Sequence, residues 1–272
     1  MSDLHVETPP GERDGLETLD AWIADLVAAT DVTGLSRQEV RYGEHAEQVI
    51  DLWQPEQPRG AAVLLHGGGF AARFDRHIML PAVVDLCRRG HAVWNVEYRR
   101  TDLDGGPVPT TQDVAAALEC IAHSPLPGQV VDRPLTLVAH SAGGYLALWA
   151  ARLPLVEHVI VAGAVCDLAA NAQQADDMYA RFVGGLPGER SEVYGRFELA
   201  RRLPTHATHA LICGLDDQPH RVRENRAHAA ALAQSGDTVV LEELPGVGHF
   251  DFLDPASSGW LRVVALLEGG AE

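Results

Sequence analysis

The sequence predicts an α/β protein built around a mostly parallel central sheet that is flanked by helices. Short continuous apolar runs, such as residues 61–65 and 135–138, have the composition of buried strands. They alternate with segments that carry apolar residues at helical spacing, and this alternation favours parallel strands joined by right-handed crossovers. A chain of 272 residues is long enough for one such unit. We therefore expect a single domain over residues 1–272.

Composition narrows the class of protein. The formal net charge of −17 argues against binding to nucleic acid or to an anionic membrane, because both require a basic face. No apolar run approaches the length of a membrane span, and the first residues lack the pattern of a secretion signal. The four cysteines are scattered in apolar settings, which is typical of reduced core thiols. We expect a cytoplasmic protein with a small-molecule partner, and a homodimer is one option for its oligomeric state.

The N-terminal part, residues 1–35, is predicted to hold a polar tail and one helix. Apolar side chains recur at helical spacing over residues 15–29. This helix is either a brace docked against the sheet or a flap near the mouth of a site. Residues 39–42 and 48–53 then alternate in polarity around Gly43, which predicts an antiparallel hairpin that opens the sheet.

The first buried strand, residues 61–65, runs directly into a His-Gly-Gly-Gly-Phe segment at residues 66–70. Consecutive glycines leave backbone N–H groups unshielded, so such a loop can wrap a developing negative oxygen. A flexible connector is the alternative. We expect the amides of Gly68 and Gly69 to be oxyanion donors, and His66 to form hydrogen bonds within the loop rather than take part in chemistry.

Several helix boundaries can be predicted from the residues that end or begin helices. Residues 78–89 form an apolar helical segment that ends at Gly90, a good C-cap. Thr110 or Thr111 is expected to cap the following helix. Pro255 is expected in the first turn of the last helix, where proline is tolerated.

Residues 138–144, Val-Ala-His-Ser-Ala-Gly-Gly, stand where an apolar strand meets an apolar helix. A serine at such a junction, flanked by small residues, is the nucleophile-elbow arrangement, which exposes the hydroxyl at the carboxyl end of a sheet. Ala139 takes the place of the first glycine in the usual Gly-x-Ser-x-Gly pattern. A serine that only caps a helix is the alternative. We expect Ser141 to be a nucleophile and the amide of Ala142 to be a third oxyanion donor.

The alternation of strands and helices breaks at residues 168–203, which hold helix-forming pieces such as residues 175–183, split by a glycine- and proline-rich stretch. An insertion at this point would lie over the carboxyl ends of the strands. It predicts a small helical cap, and a simple two-helix crossover is the alternative. The apolar side chains available to line a substrate pocket, or to fill the core, are Trp22, Phe70, Met178, Tyr179 and Phe182.

Two acidic residues, Asp216 and Asp217, follow the strand at residues 209–213. Either can reach an imidazole or cap the next helix; we assign Asp217 to catalysis, and the reverse assignment stays open. Among thirteen histidines, His249 alone lies on the loop after the final strand. The order serine, acid, histidine matches the catalytic triad order of this type of architecture.

These residues together resemble the α/β-hydrolase superfamily, over roughly residues 38–268. Within it, the chain is similar to the esterase group that includes kynurenine formamidase and the hormone-sensitive-lipase-like enzymes. The Gly-x-x-Asp turn at residues 214–217, the triplet at residues 249–251 and the strand at residues 49–55 resemble the formamidase branch. Gly69 and Phe70 stand where that branch often has aromatic residues, which is closer to the lipase-like form.

The resemblance implies an α/β-hydrolase fold and a serine hydrolase that cleaves a small-molecule carboxylic ester or amide. An aryl formamide is among the candidate substrates, and neither a metal nor an organic cofactor is required. The same triad also serves an acyltransferase or a cyclase. A non-catalytic ligand-binding member of the fold is a third hypothesis, and the presence of all three triad residues argues against it.

Overall fold

A computed structural model describes residues 16–124, 134–174 and 177–269. Within these residues, eight strands form one sheet in the order β1-β2-β4-β3-β5-β6-β7-β8. They span Ser36–Arg41 (β1), Val49–Gln54 (β2), Gly60–Leu65 (β3), His91–Val96 (β4), Leu135–His140 (β5), Val156–Ala162 (β6), Thr208–Gly214 (β7) and Thr238–Leu244 (β8). β1 and β2 form the predicted hairpin, β2 is antiparallel to β4, and the remaining neighbours are parallel. The prediction of a mostly parallel α/β sheet is confirmed.

Helices connect these strands. They span Leu16–Ala28 (α1), Leu80–Arg88 (α2), Pro107–Ala122 (α3), Ala142–Ala150 (α4), Leu168–Asn171 (α5), Met178–Val183 (α6), Ser191–Arg196 (α7), Pro219–Ser235 (α8) and Ser258–Leu267 (α9), with 3-10 turns at Arg76–Met79, Leu199–Arg202 and Phe250–Leu253. In the part of the chain that is described, no helix has the length and apolarity to cross a membrane. The predicted tail at residues 1–14 lies outside the described residues.

The sheet is covered on both faces because successive strand residues point to opposite sides. In β3, Val63 and Leu65 belong to one apolar cluster, whereas Ala62 and Leu64 belong to another. The first cluster contains residues of α3, α4 and α8, and the second contains residues of α1, α2 and α9. The continuous apolar runs that predicted strands are therefore the two-sided core of the sheet.

The prediction that Thr110 or Thr111 caps α3 is wrong. The helix begins at Pro107, which supplies the fixed backbone angle that suits a first helical position. Thr110 lies one turn inside, where its hydroxyl donates to the carbonyl of Arg99 at 2.6 Å. A threonine hydroxyl can satisfy backbone groups from within the first turn as well as from the cap, so the residue type does not fix the boundary.

The last helix also begins later than predicted. Its N-cap is Ser257, whose hydroxyl oxygen accepts the amide of Trp260 at 3.0 Å. Pro255 therefore precedes the helix instead of lying in its first turn. The serine determines the boundary because it satisfies an amide that the helix itself leaves unpaired.

The segment between β6 and β7 contains α5, α6 and α7 and corresponds to the predicted cap, except for residues 175–176, which lie outside the described residues. It contacts the loop after β3. Phe182 of α6 stacks on Phe70 with ring centroids 3.8 Å apart. The sulfur of Met178 lies against Gly69, at the place that a Cβ there would need. These contacts bring α6 to the carboxyl end of the sheet.

The apolar side chains that were candidates for a pocket wall divide between the two faces. Phe70, Tyr179 and Phe182 are buried together in the first cluster, whereas Trp22 of α1 is buried in the second. Helix α1 thus packs against the α2 side of the sheet, which is the position of a brace. Met178, the remaining candidate for the pocket wall, is partly exposed at the surface of the cap.

Candidate active site

Ser141 lies between the end of β5 and the start of α4 in an unusual backbone conformation, with φ of 54° and ψ of −119°. A non-glycine residue with positive φ is strained, so neighbouring structure must hold it. The end of β6 and the loop after it do so, because the Ser141 amide donates to the carbonyl of Ala162 at 3.0 Å and the Ser141 carbonyl accepts the amide of Val165 at 3.1 Å. These two bonds fix the turn that presents the serine.

The small residues after Ser141 let helix α4 approach the sheet. A Cβ at Gly143 would lie 2.2 Å from the carbonyl oxygen of Leu65, and one at Gly144 would lie 2.7 Å from the Cβ of Ala164. Both distances are too short for an alanine without movement of the backbone. Ala139, which replaces the usual first glycine, packs its methyl group in the first core cluster.

The structure brings together the three side chains that the sequence singled out. His249 Nε2 lies 3.0 Å from the hydroxyl oxygen of Ser141, and His249 Nδ1 lies 2.8 Å from Oδ2 of Asp217. The other oxygen of Asp217 accepts the amide of Gln218 at 2.6 Å. Asp216, the alternative acid, is exposed to solvent. Of the two candidate acids, Asp217 is thus the one that contacts the imidazole.

The charges around Asp217 keep it ionised. Burial of the carboxyl group acts to raise its pKa, but the charge and hydrogen bond of His249 oppose this effect, as do the charge of Arg221 and the amide of Gln218. The result is a pKa for Asp217 below its ordinary value. A carboxylate in this state can orient the imidazole and balance a positive charge on it.

His140 is a functional neighbour that sequence analysis missed. Its Nε2 lies 2.9 Å from the backbone carbonyl of His249, so it donates to the loop that carries the imidazole. Burial, followed by the charge of His249, lowers the pKa of His140 to about 3, which keeps it neutral. The sequence signal that could have indicated this role is the position of His140 at the end of a buried strand, because a buried polar side chain needs a hydrogen-bond partner.

Glu224 of α8 holds the loop after β6 and was also missed. One of its oxygens accepts the amides of Cys166 and Asp167 at 3.1 and 2.9 Å. In the same loop, Gly163 has a φ of 54°, and a Cβ there would lie 3.1 Å from Nδ1 of His249. This loop therefore supports both the serine turn and the imidazole, and a glycine lets it approach the ring.

The glycine loop after β3 lies beside the serine. A Cβ at Gly67 would lie 3.0 Å from the Cβ of Ser141, and Gly68 and Gly69 have positive φ of 98° and 60°. The amides of Gly68, Gly69 and Ala142, the three predicted oxyanion donors, donate to no acceptor in the described parts of the protein. Within these parts of the protein, the three amides are therefore unpaired donors.

A family comparison agrees with this fold and geometry. The family model described as "Alpha/beta hydrolase family" matches residues 62–207, more than half of the 272-residue chain. The chain belongs to the alpha/beta hydrolase family, and the predicted α/β-hydrolase fold is confirmed. Comparison with curated protein sequences gives no significant match.

Solved structures of esterases are similar to this chain. Esterase B from Lactobacillus rhamnosis superimposes with a TM-score of 0.77 at 20% identity, covering 93% of this chain and 91% of that one. A bacterial heroin esterase gives a TM-score of 0.73 at 22% identity, covering 96% and 92%. A thermophilic esterase from Thermogutta terrifontis gives 0.68 at 16% identity, covering 88% and 92%. At these identities the likeness shows a shared fold.

Proposed function

We propose that this protein is a serine hydrolase that cleaves a carboxylic ester or amide of a small molecule. The observation that carries the proposal is the continuous hydrogen-bonded chain from the Ser141 hydroxyl through His249 to Asp217, with contacts of 3.0 and 2.8 Å. These are the distances at which a base can take the proton of a nucleophile. The esterase names of the similar structures support the same class of reaction.

In the proposed mechanism, Ser141 attacks the carbonyl carbon of the substrate while Nε2 of His249 takes the hydroxyl proton. His249 then returns this proton to the leaving alcohol or amine, and Asp217 stabilises the imidazolium formed in between. The product of this half-reaction is an acyl-enzyme. Water attacks it with His249 again as the base, which releases the acid and restores the serine.

The negative oxygen formed at each attack needs hydrogen-bond donors. We assign this role to the amides of Gly68, Gly69 and Ala142, which have no protein acceptor among the described residues and belong to the loop and the helix start beside the serine. Backbone donors that are already oriented stabilise such an oxygen without rearrangement, and loss of one typically lowers the rate by about 10²–10³.

The acyl-enzyme can in principle pass its acyl group to water or to another acceptor. We propose water as the acceptor, and aryl formamides beside short esters as substrates. The decisive assay measures p-nitrophenyl acetate turnover in the wild type and in Ser141→Ala, and compares short-chain esters with formyl-kynurenine. Steady turnover that depends on Ser141 supports a hydrolase.

Other outcomes of the same assay point to different functions. If the Ser141→Ala variant still hydrolyses the substrate, Ser141 is not the nucleophile. A burst without steady turnover, relieved by an added alcohol or amine, would indicate an acyltransferase. Absence of both turnover and fluorophosphonate labelling in the wild type would indicate a ligand-binding member of the fold.

A further inference from the structure

A buried pair of side chains, His66 and Glu97, lies directly under the glycine loop. His66 Nε2 is 2.9 Å from Oε1 of Glu97, and His66 Nδ1 is 2.8 Å from the carbonyl oxygen of Gly67. Both side chains are almost fully buried, with relative exposures of 0% and 1%. Neither belongs to the triad, and the mechanism above does not use them.

Only one form of the His66 ring can make both of these contacts as donor. The Glu97 carboxylate and the Gly67 carbonyl each accept a hydrogen bond, so both are donated to at once only by the imidazolium, which carries hydrogen on both nitrogens. Burial acts to raise the pKa of Glu97. The charge and hydrogen bond of His66, the charge of Arg100 and the hydrogen bond from the Arg76 amide together outweigh burial, so the pKa of Glu97 lies below its ordinary value. The Tyr98 ring stacks on the imidazolium with centroids 4.3 Å apart, and its hydroxyl donates to the His66 carbonyl at 2.6 Å.

The bond from Nδ1 to the Gly67 carbonyl orients the next amide. In a trans peptide the C=O and the N–H point in opposite directions, so a carbonyl that is held on one side fixes the N–H on the other. The N–H opposite the Gly67 carbonyl is that of Gly68, a proposed oxyanion donor. The Gly69 amide is fixed independently, since the Gly68 carbonyl accepts the amide of Ala71 at 3.0 Å.

We infer that His66 and Glu97 are positioning residues of the oxyanion hole: Glu97 holds the imidazolium of His66, which in turn holds the Gly67 carbonyl and thereby aims the Gly68 amide. This inference rests on the proposed hydrolase function. It assigns to the histidine of the His-Gly-Gly-Gly segment an effect on the transition state without any contact with substrate. His66 positions one of the three proposed donors, so its replacement should lower the rate by no more than the loss of one donor does.

Two substitutions of His66 separate its two hydrogen bonds. The amide nitrogen of asparagine is as many bonds from Cα as Nδ1, and that of glutamine is as many as Nε2. His66→Asn can therefore keep the bond to the Gly67 carbonyl, whereas His66→Gln can keep only the bond to Glu97. We expect His66→Gln to lower kcat by about 10–10² with KM within about twofold, and His66→Asn to stay within about threefold of wild type.

The affinity for an oxyanion analogue distinguishes a positioning role from a purely structural one, because a purely structural role would not affect that affinity. A trifluoromethyl ketone, whose hemiketal oxygen occupies the oxyanion hole, should bind His66→Gln more weakly by the same factor by which kcat/KM falls. Asp113→Asn is the matched control, because Asp113 is a fully buried carboxylate that accepts from Arg99 and Gln48 and not from the glycine loop. It should leave kcat and inhibitor affinity unchanged.

The outcomes distinguish this inference from the function on which it rests. A wild type without Ser141-dependent turnover removes both. If the wild type turns over substrate, two results would overturn only the positioning role. One is a kcat of His66→Gln within twofold of wild type, and the other is an equal loss of kcat in His66→Asn and His66→Gln. If His66→Gln does not fold, Glu97→Asp takes its place, since it withdraws the carboxylate from Nε2 by one methylene. Its kcat should fall at least about threefold at constant KM, and an unchanged kcat overturns the inference.

Discussion

Replacing Asp217 with asparagine should abolish most activity through the tautomer of His249. The Oδ1 atom of Asp217 accepts the Gln218 amide at 2.6 Å, and its Oδ2 atom accepts from His249 Nδ1 at 2.8 Å. An asparagine must place its NH2 group at one of these positions. An NH2 group that faced the Gln218 amide would bring two donors together, because a backbone N–H always carries its hydrogen. The NH2 group therefore faces His249, whose ring can move its hydrogen from Nδ1 to Nε2.

The imidazole must then accept at Nδ1 and carry its hydrogen on Nε2. That hydrogen points to the Ser141 hydroxyl, 3.0 Å away, so the ring can no longer take the serine proton. A wrong tautomer of this kind lowers kcat by about 10⁴, which corresponds to about 5 kcal/mol of transition-state stabilisation. Asparagine has nearly the shape of aspartate, so the fold should persist.

The assay is steady-state hydrolysis of p-nitrophenyl acetate by wild type, Asp217→Asn and Asp216→Asn, with folding checked by circular dichroism. Asp216 is the matched control, since it is the adjacent acid and is exposed. It should keep kcat within about twofold of wild type, as surface substitutions usually do. A loss smaller than tenfold in Asp217→Asn, or an equal loss in both variants, would refute this reasoning.

Two further predictions concern stability. Gly143→Ala should lower the free energy of unfolding by about 1–3 kcal/mol, because its Cβ would lie 2.2 Å from the Leu65 carbonyl. Gly188→Ala, where a Cβ meets nothing within 4 Å, is the control, and equal urea midpoints for the two variants would contradict the prediction. Stability should also fall as pH drops from about 6.5 to 4, by up to about 1.4 kcal/mol per pH unit for each buried histidine. Burial lowers the pKa of these histidines, so the unfolded chain binds protons that the folded one does not; a flat profile would be inconsistent. They are His140 (pKa about 3), His209 (about 4) and His228 (about 4).

The features that follow local patterns were predictable from the sequence. The apolar run at residues 61–65 is a two-sided core strand, and the alternation around Gly43 is the first hairpin. The junction at Ser141 was visible because strand-type residues precede it and helix-type residues follow it, with Ala142, Gly143 and Gly144 directly after the serine. Each of these signals depends on residues that are near in sequence, where periodicity and residue size report directly on structure.

Features that depend on distant partners were not predictable in the same way. Glu97 lies 31 residues after His66, and His249 lies 109 residues after His140. A buried polar residue needs a partner, but the sequence does not say which strand end supplies it. The choice between Asp216 and Asp217 likewise depended on which side chain the turn directs inward. Helix starts at Pro107 and Ser258 were missed because several residue types nearby can satisfy the same amides.

The most direct test is an intact-mass measurement on enzyme quenched during p-nitrophenyl acetate turnover. We predict a species heavier by one acetyl group, with the adduct on the peptide that contains Ser141, and no such species in Ser141→Ala. Asp217→Asn should form it far more slowly. An adduct on another residue, or steady turnover without any acetylated species at any quench time, would contradict a serine acyl-enzyme.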